Sequence, residues 1–335
     1  MPDAVVVGAG LAGLFAARTL VQAGKAVRIV DEGRGVGGRA STFRSGRGVF
    51  DHGAQYFTAR DPVFRTWVET WLAAGLVNLW SDGFSTASGR LNQNGEPRYI
   101  GSRGMSAIAG SLAEGLQVGL EAPVSACRWN DGFWTIEFAA TEPRKDPIRA
   151  RCLVLTAPVP RSLVVLKVGE VPWSREARSR LERIEYSRCL AALIELGGPS
   201  RVPAPGGLWL DGEPVAWLAD NTQKGISPGG AGAGAGVSLT LHAGPKFSQA
   251  HWDADPDATA NKLVDAVRPW LGGPVKSLAW HRWLYSAPTS VYPERCLALR
   301  EPGPLVFAGD AFAGPRVEGA ALSGLAAGEA ALSMV

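Results

Sequence analysis

The chain has 335 residues, of which 46% are hydrophobic and 19% are charged, and its formal net charge is +3. This composition is that of a globular protein, because disordered chains and coiled coils carry more charge and fewer apolar residues. Lysine and arginine form no long run, so a nucleic-acid partner is not expected. Glycine is enriched: it makes up 42 of the 335 residues, about 12.5%, whereas its average usage is about 7%. The glycines are concentrated in short clusters.

The four cysteines, Cys127, Cys152, Cys189 and Cys296, lie far apart in the chain and form no CxxC pair. This spacing favours neither a zinc site nor a disulfide framework, so we expect no bound metal and a reducing, cytoplasmic location. No apolar run is long enough to span a membrane, and the N-terminal MPDAVVVGAG carries no basic segment. We therefore expect neither a membrane partner nor a signal peptide, and the sequence leaves the oligomeric state open.

The N-terminal residues predict a βαβ unit. Residues 4–7 are predicted as a short buried strand, residues 10–23 as a helix that Gly24 ends, and residues 27–30 as a second buried strand. Residues 32–60 are rich in Gly, Arg and Ser and show little periodicity, so they are predicted as loop.

Asp61 and Pro62 begin the next predicted helix, because an acidic residue suits the N-cap and proline suits the first helical position. Gly75 ends this helix.

Residues 225–236 are too rich in glycine to pack and are predicted as a mobile loop. The other predicted helices cover 104–114, the regions near 174–184 and 255–270, and Glu318 to about 333. The other predicted strands cover 124–129 and 133–138, which form a hairpin around Asn130-Asp131-Gly132, as well as 148–156, 189–195, 215–219, 237–242 and 305–308.

Gly8-Ala9-Gly10-Leu11-Ala12-Gly13 joins the first strand to the first helix and matches the GxGxxG fingerprint of dinucleotide-binding proteins. Gly8 allows the tight turn, Gly10 allows the pyrophosphate to approach the backbone, and Gly13 allows helix and strand to pack closely. The helix N-terminus offers N–H donors and partial positive charge to the phosphates. Asp31, 18 residues past Gly13, is expected to accept hydrogen bonds from the ribose hydroxyls.

Two further segments separate FAD from NAD. Residues 31–39 (DEGRGVGGR) resemble the stretch after the ribose acid in the amine-oxidase-like flavoproteins, where the glycines and the arginine lie near the cofactor. Residues 307–310 (FAGD) and 316–320 (RVEGA) resemble the second FAD segment of that superfamily, in which a helix N-terminus points at the N1/O2 edge of the flavin. Reduction places negative charge at this edge, which a helix N-terminus stabilises. We expect FAD, bound non-covalently because no cysteine lies near the second segment.

Five segments give a narrower resemblance, to the bacterial renalases, a branch of the amine-oxidase-like flavoproteins. They are 51–61 (DHGAQYFTARD), 104–108 (GMSAI), 241–243 (LHA), 281–285 (HRWLY) and 316–320 (RVEGA). The resemblance implies an α/β fold with a Rossmann-like FAD-binding domain and an inserted mixed α+β substrate domain, of the p-hydroxybenzoate hydroxylase/amine-oxidase-like kind. We expect residues 1–58, 100–158 and 295–335 to form the FAD-binding domain, and residues 59–99 and 159–294 to form the substrate domain.

The resemblance implies oxidation of the 2- and 6-dihydro isomers of NAD(P)H. In renalases, hydride passes from the dihydronicotinamide ring to flavin N5, and O2 then reoxidises the flavin, which yields NAD(P)+ and H2O2. Such a transfer needs a well-placed ring and no strong base. Two alternatives stay open. One is an FAD-dependent amine or polyamine oxidase, for which Lys246 is the lysine nearest a candidate site strand. The other is a flavin-binding protein without catalysis.

The resemblance also gives the candidate residues. Tyr56, His242, Trp283 and Tyr285 are the catalytic candidates, although core packing explains the last three about as well. Trp283 and Tyr285 alternate along a strand and therefore share a face. The substrate-binding candidates are Gln55, Arg60 and Arg282, and an ion pair is an equal explanation for each arginine. The cofactor-binding candidates are Gly8, Gly10, Leu11, Ala12, Gly13, Asp31, Glu32, Gly38, Arg39, Gly53, Ala54, Gln55, Val124, Gly309, Asp310, Arg316, Val317, Glu318 and Gly319.

Overall fold

The computed structural model describes residues 1–46, 48–140, 145–228, 236–312 and 314–335. The chain divides into two compact units. The first consists of Met1–Gly38, Ala109–Tyr186 and Ala287–Val335, and the second of Arg39–Ile108 and Ser187–Ser286. The domains expected from the sequence have the same interleaved order with other boundaries, and as functional domains they stay a prediction. Within the described residues, no helix is both long and apolar enough to cross a membrane.

The first unit is built on a mainly parallel sheet. Ala4–Val7 pairs in parallel with Cys152–Leu155 on one side and with Val27–Val30 on the other. These strands are almost entirely apolar and buried, as expected for parallel strands covered on both faces. Leu305–Phe307 and then Leu297–Leu299 continue the sheet beyond Cys152–Leu155, and Val118–Gly119 lies beyond Val27–Val30. The predicted βαβ unit and last strand are confirmed.

Two helices of the first unit, Leu11–Gln22 and Val317–Leu332, pack against each other through glycines. A Cβ added at Gly324 would lie 2.8 Å from the Cα of Ala12, and one at Gly328 would lie 2.5 Å from the Cβ of Thr19. The contacting positions advance along both helices together, so the helices run in the same direction.

A small antiparallel sheet of the first unit consists of Val124–Asn130, Phe133–Phe138 and Ile148–Ala150. The predicted hairpin is confirmed, with φ of 53° at Asp131 and 77° at Gly132, as a type I′ turn requires. The prediction of one strand over 148–156 is wrong, because Ile148–Ala150 belongs to this sheet whereas Cys152–Leu155 joins the parallel sheet. The remaining helices are Val159–Val168, which was not predicted, and the predicted Arg175–Leu181 and Ser106–Ala113.

The second unit is built on a mainly antiparallel sheet. Its strands lie in the order Val275–Pro288, Tyr186–Leu196, Val237–Ala243, Val215–Asp220, Gly207–Trp209, Val77–Thr86 and Leu91–Gly101. Leu241 is paired with Ala192 on one side and Leu218 on the other, and these residues belong to the buried core of the unit. The hairpin of Val77–Thr86 and Leu91–Gly101 was not predicted, because its polar and apolar residues do not alternate regularly.

Part of the segment 32–60, predicted as loop, is regular structure. Thr42–Ser45 pairs with Gly48–Asp51 as an antiparallel hairpin. The carboxylate of Asp51 holds it, since Oδ1 accepts hydrogen bonds from Thr42 Oγ1 at 2.6 Å and from Met105 N at 2.8 Å. Hydrophobic periodicity cannot reveal an element that is organised by a buried polar group.

The helices of the second unit are Pro62–Ala73, Pro245–Ala250 and Pro256–Ala266, with 3-10 turns at Gly38–Ala40 and Arg268–Trp270. Each of the three α-helices begins at a proline, whose missing N–H has no helical partner at that position in any case. Asp61 caps the first of them as predicted, accepting a hydrogen bond from Val63 N. Most of the glycine-rich segment predicted as a mobile loop, residues 229–235, lies outside the described residues.

We predict that Gly324→Ala lowers the free energy of unfolding by about 1–3 kcal/mol, because the added methyl group overlaps the backbone of Ala12 and forces two helices apart. Gly110→Ala is the matched control. Gly110 lies in the helix Ser106–Ala113 with open space around its Cβ position, so this change should stabilise the chain by up to about 1 kcal/mol. Urea unfolding measures both, and equal stability of the two variants would contradict the close helix packing.

Candidate functional site

The glycine loop of the first unit has the geometry that a bound dinucleotide requires. Gly8 has a φ of 113°, which an L side chain rarely adopts. A Cβ at Gly13 would lie 2.9 Å from Thr156 Oγ1 and closer still to the Gly8 carbonyl, so the helix can begin this near the turn only at glycine. Apart from its own chain neighbours, none of the described residues has an atom within 4 Å of the Cβ position of Gly10, which leaves this side of its backbone open to a ligand. The roles expected for the three glycines therefore agree with the geometry.

The carboxylate of Asp31 lies against this loop. Its Oδ2 accepts a hydrogen bond from Ala9 N at 2.6 Å, and its Oδ1 accepts one from Gly33 N at 2.7 Å. Burial raises the pKa of Asp31, while the two backbone hydrogen bonds oppose the rise. Each oxygen keeps a further lone pair that a ribose hydroxyl can use. Glu32 instead forms an exposed ion pair with Arg161 at 3.1 Å.

The second glycine segment packs directly on the first. Gly37 N donates to Ala9 O at 2.8 Å, and Gly10 and Gly37 form an isolated β-bridge. A Cβ at Gly38 would lie 3.6 Å from the Cα of Gly10. In the second unit, the guanidinium of Arg39 donates to the carbonyl oxygens of Tyr285 and Ser286 at 3.3 and 3.4 Å.

The C-terminal segment places another helix N-terminus in the first unit. Gly309 has a φ of 140° and its N–H donates to Ser323 Oγ at 2.9 Å, and a Cβ at Gly319 would lie 3.0 Å from the carbonyl carbon of Gly314. Arg316 precedes the helix without a side-chain cap, so the first N–H groups remain available to a ligand. Val317 and Glu318 form the first turn of this helix.

The two helix N-termini suit two different parts of an extended FAD. Ala12 is the second residue of its helix and contacts Gly324, the eighth residue of the parallel helix. At a rise of about 1.5 Å per residue, the N-terminus of the second helix therefore extends roughly 9 Å beyond that of the first, on the N-terminal side. One partial positive charge then suits the pyrophosphate and the other suits a more distant part of the cofactor. Leu11 lies beside the glycine loop, and half-buried Val124 begins the small sheet near Ala122, whose N–H donates to Asp31 O.

In the second unit, three segments distant in sequence converge on the carbonyl oxygen of His52. His242 Nε2 lies 3.0 Å from this oxygen and Trp283 Nε1 lies 2.8 Å from it. A carbonyl oxygen only accepts, so both nitrogens donate, and His242 is the Nε2–H tautomer. The ring of His281 contacts those of His52 and Trp283, with centroid distances of 4.7 and 4.1 Å. We call His52, His242, His281 and Trp283 the histidine cluster.

The imidazoles of this cluster are neutral at neutral pH. Burial lowers the pKa of His52 to about 4, and the neighbouring His281 contributes to the shift. Burial also lowers the pKa of His242 to about 4, against the effect of its bond to the His52 carbonyl. The pKa of His281 is lowered for the same reason. The cluster thus presents uncharged aromatic rings with oriented N–H groups.

The residues that follow His52 in the same loop are also held by contacts with other parts of the second unit. Ala54 N donates to Arg39 O at 2.8 Å, and a Cβ at Gly53 would lie 3.3 Å from the ring of Trp283. The Gln55 amide donates to Asp51 O at 2.5 Å and accepts from Trp217 Nε1 at 3.2 Å. Protein groups therefore orient Gln55, and its role towards a substrate stays a prediction.

Other candidates lie apart from the histidine cluster. Tyr56 is half-buried and belongs to an aromatic group with Trp80, Phe84 and Trp217. Arg60 forms an ion pair with Glu96. Arg282 is exposed between the half-buried His281 and Trp283, so it lies on the opposite face of the strand. Half-buried Tyr285 shares the face of Trp283, as the alternation predicts.

Sequence reasoning missed three residues of the second unit. His281 could have been predicted from the sequence, because it alternates with Trp283 and Tyr285 along one strand and therefore shares their face. Lys224 and Arg98 are buried cations, and hydrophobic patterns give no sign that a lysine or arginine lies inside. Lys224 Nζ lies 2.6 Å from Asp51 Oδ2, and both side chains are fully buried.

Two family profiles match this chain, and solved structures of known proteins are similar to it. The profile described as "NAD(P)-binding Rossmann-like domain" matches residues 6–70, and that described as "Flavin containing amine oxidoreductase" matches residues 67–332. Wild-type putrescine oxidase bound to putrescine is similar with a TM-score of 0.70 and 15% identity over 99% of both chains. Cyclohexylamine oxidase from Brevibacterium oxydans IH-35A is similar with a TM-score of 0.71 and 13% identity over 99% of this chain and 98% of that one.

These findings confirm the predicted fold class, an α/β protein with a Rossmann-like dinucleotide-binding domain and an amine-oxidase-like fold. They also confirm FAD as the cofactor, in agreement with the fit of the glycine loop, Asp31 and the two helix N-termini. Non-covalent attachment stays a prediction. Among the described residues, no group of three or more His, Cys, Asp or Glu side chains is placed to hold a metal ion.

The depressed pKa values predict an acid-sensitive fold. An unfolded histidine binds a proton below about pH 6.5, whereas folded His242 stays neutral down to about pH 4. The unfolded state binds more protons in this window, so the free energy of unfolding should fall as the pH is lowered through it and level off below. His242→Gln keeps an N–H donor without a titrating group and should remove about 1.4 kcal/mol per pH unit from this slope. Urea unfolding between pH 7 and 4 checks this, and identical slopes in variant and wild type would contradict it.

Proposed function

Because the chain belongs to the flavin containing amine oxidoreductases, we propose that it is the oxidase of this family that acts on the 2- and 6-dihydro isomers of NAD(P)H. The net reaction is dihydroNAD(P) + O2 + H+ → NAD(P)+ + H2O2. The flavin supplies the hydride acceptor and the reaction with O2. A cytoplasmic location forms part of the proposal, since the dihydronicotinamides would arise where NAD(P)H is used.

One observation carries the proposal. The segments that resemble bacterial renalases are far apart in sequence, yet three of them meet within the second unit. DHGAQYFTARD contributes the His52 carbonyl, LHA contributes the His242 donor, and HRWLY contributes His281 and the Trp283 donor. A motif set that assembles into one hydrogen-bonded cluster supports a shared site better than any motif alone.

The chemistry of the cluster suits a dihydronicotinamide ring. The ring is neutral before hydride transfer and a cationic pyridinium afterwards, so nearby positive charge would oppose the reaction. Neutral imidazoles avoid this repulsion, and the face of Trp283 attracts a developing cation. The two hydrogen bonds to the His52 carbonyl fix the rings without using a titrating base, and a hydride transfer requires none.

Amine oxidation is the second candidate, which the family's description and the aromatic group around Tyr56 favour. Two features oppose it. The aromatic group already carries a cation, with Arg98 Cζ 5.7 Å from the Tyr56 centroid. A protonated amine would be repelled there. Lys246, the lysine considered from the sequence, is exposed on the helix Pro245–Ala250.

An anaerobic mixing experiment on the FAD-loaded protein separates these functions. We expect 6-dihydroNAD(P) to bleach the flavin absorbance rapidly and ordinary NADH, putrescine and cyclohexylamine to bleach it slowly or not at all. Readmission of O2 should restore the absorbance and release H2O2. Rapid bleaching by an amine would favour the second candidate, and a flavin that no compound reduces would identify a binding protein without catalysis.

We further predict that Trp283→Phe slows bleaching by 6-dihydroNAD(P) about tenfold or more, because His52 loses one of the two donors that hold its carbonyl. Trp134→Phe is the control, since Trp134 Nε1 also donates to a carbonyl, that of Pro304, at 2.9 Å within the first unit. It should lower stability and leave the bleaching rate near that of the wild type. Stopped-flow absorbance measures both, and equal slowing in the two variants would show a general packing effect.

A further inference from the structure

A second aromatic surface of the second unit differs from the histidine cluster in charge. Phe84 is its buried centre, with ring centroids of Trp80, Trp217 and Tyr56 at 4.6, 5.0 and 5.4 Å. Phe84 and Trp217 are buried, whereas Tyr56 and Trp80 are half-buried and form its accessible part. We call these four residues the Tyr56 surface.

Arg98 gives this surface a positive charge. Its Cζ lies 5.7 Å from the Tyr56 centroid and 5.3 Å from that of Phe84, and only 7% of the residue is exposed. Its Nη atoms donate to Glu96 O and Asn94 Oδ1, which are uncharged acceptors. Among the described residues, its buried Nε has no hydrogen-bond partner and no carboxylate forms an ion pair with it. Within that part of the chain, the charge is therefore not neutralised by contact.

Two neighbouring cations, Lys224 and Arg60, differ from Arg98 because each has a carboxylate partner. Lys224 lies over Trp80, but its charge is balanced by Asp51 at 2.6 Å. Arg60 pairs with the carboxylate of Glu96, whose backbone oxygen is the acceptor for Arg98. Both arginines therefore contact Glu96, and the side chain of Arg60 is about half-exposed. These contacts together give a group of mutually tilted aromatic rings with the guanidinium of Arg98 behind them, and among the described residues no carboxylate pairs with that guanidinium.

A dihydronicotinamide dinucleotide has two halves of different charge. The nicotinamide ring becomes cationic, so it suits the neutral histidine cluster and not the Tyr56 surface. The ADP-ribose half carries the phosphates and an adenine base, so it suits cations beside aromatic rings. With the nicotinamide ring at the histidine cluster and the ADP-ribose half at the Tyr56 surface, neither half of the substrate meets a surface of like charge.

We propose that the Tyr56 surface binds the anionic ADP-ribose half of the substrate, with Arg98 as the residue that determines its charge preference. This assignment rests on the proposed function for the identity of the substrate. Arg98 acts through its field across the Tyr56 and Phe84 rings, because its own atoms are buried. The same field excludes protonated amines, which gives the chain a physical basis for choosing a dinucleotide within a family named for amines.

Calorimetric titration of the FAD-loaded protein with ADP-ribose and with adenosine tests the assignment without turnover. We expect ADP-ribose to bind at least about tenfold more tightly than adenosine, since it alone carries phosphate charge. Arg98→Met should remove most of this difference by weakening ADP-ribose about tenfold and adenosine less than about threefold. Arg98→Lys keeps the charge and should restore the preference. Arg149→Met, which removes a guanidinium 4.7 Å from Phe133 in the first unit, should leave both affinities unchanged.

Two results would overturn the assignment. One is an ADP-ribose affinity in Arg98→Met equal to that of the wild type, and the other is an equal loss for ADP-ribose and adenosine, which would show a packing role. If Arg98→Met does not fold, the comparison of Arg98→Lys with wild type at rising salt decides, because a charge-dependent preference must shrink with salt in both. Failure of 6-dihydroNAD(P) to bleach the flavin would instead refute the proposed function, and the binding results would stand apart from it.

Discussion

The carbonyl oxygen of His52 is the point on which the second unit's site depends. It accepts hydrogen bonds from His242 and Trp283, so both of its lone pairs are used and the three segments are fixed to one another. Each donor comes from a different strand of the antiparallel sheet, whereas His52 comes from the loop after a separate hairpin. Two backbone-directed bonds therefore convert distant motifs into one cluster.

The buried pair of Asp51 and Lys224 supports this arrangement from the adjacent position. Asp51 satisfies Lys224, Thr42 and the N–H of Met105 with one carboxylate, and its carbonyl accepts from Gln55. A buried ion pair gains little stability over an apolar pair, since desolvation offsets the attraction, but it allows few alternative geometries. Its value here is the fixed position of the loop that carries His52 and Gln55.

Much of the first unit was predictable because its signals are local. The GxGxxG turn, Asp31 and the glycines near residue 38 act on their own backbone neighbourhood, and their geometry is compatible with the cofactor roles predicted for them. The packing of Gly324 on Ala12 was not predictable, because it depends on the meeting of two helices from opposite ends of the chain. In the second unit, the motifs pointed to His242 and Trp283, but the pairing of Asp51 with Lys224 and the burial of Arg98 arise from tertiary contacts alone. The prediction of a loop over 32–60 is wrong in part for the same reason, because the hairpin within it is held by tertiary hydrogen bonds to Asp51.

In the proposed reaction, this chain takes hydride from C6 or C2 of a 6- or 2-dihydronicotinamide. The most direct test replaces the hydrogens at C6 of 6-dihydroNAD(P) with deuterium and follows the first anaerobic reduction of the bound flavin. We expect a primary isotope effect on the bleaching rate, with NAD(P)+ formed in equal amount to the reduced flavin. Bleaching at an unchanged rate, or reduction without NAD(P)+ as product, would contradict it.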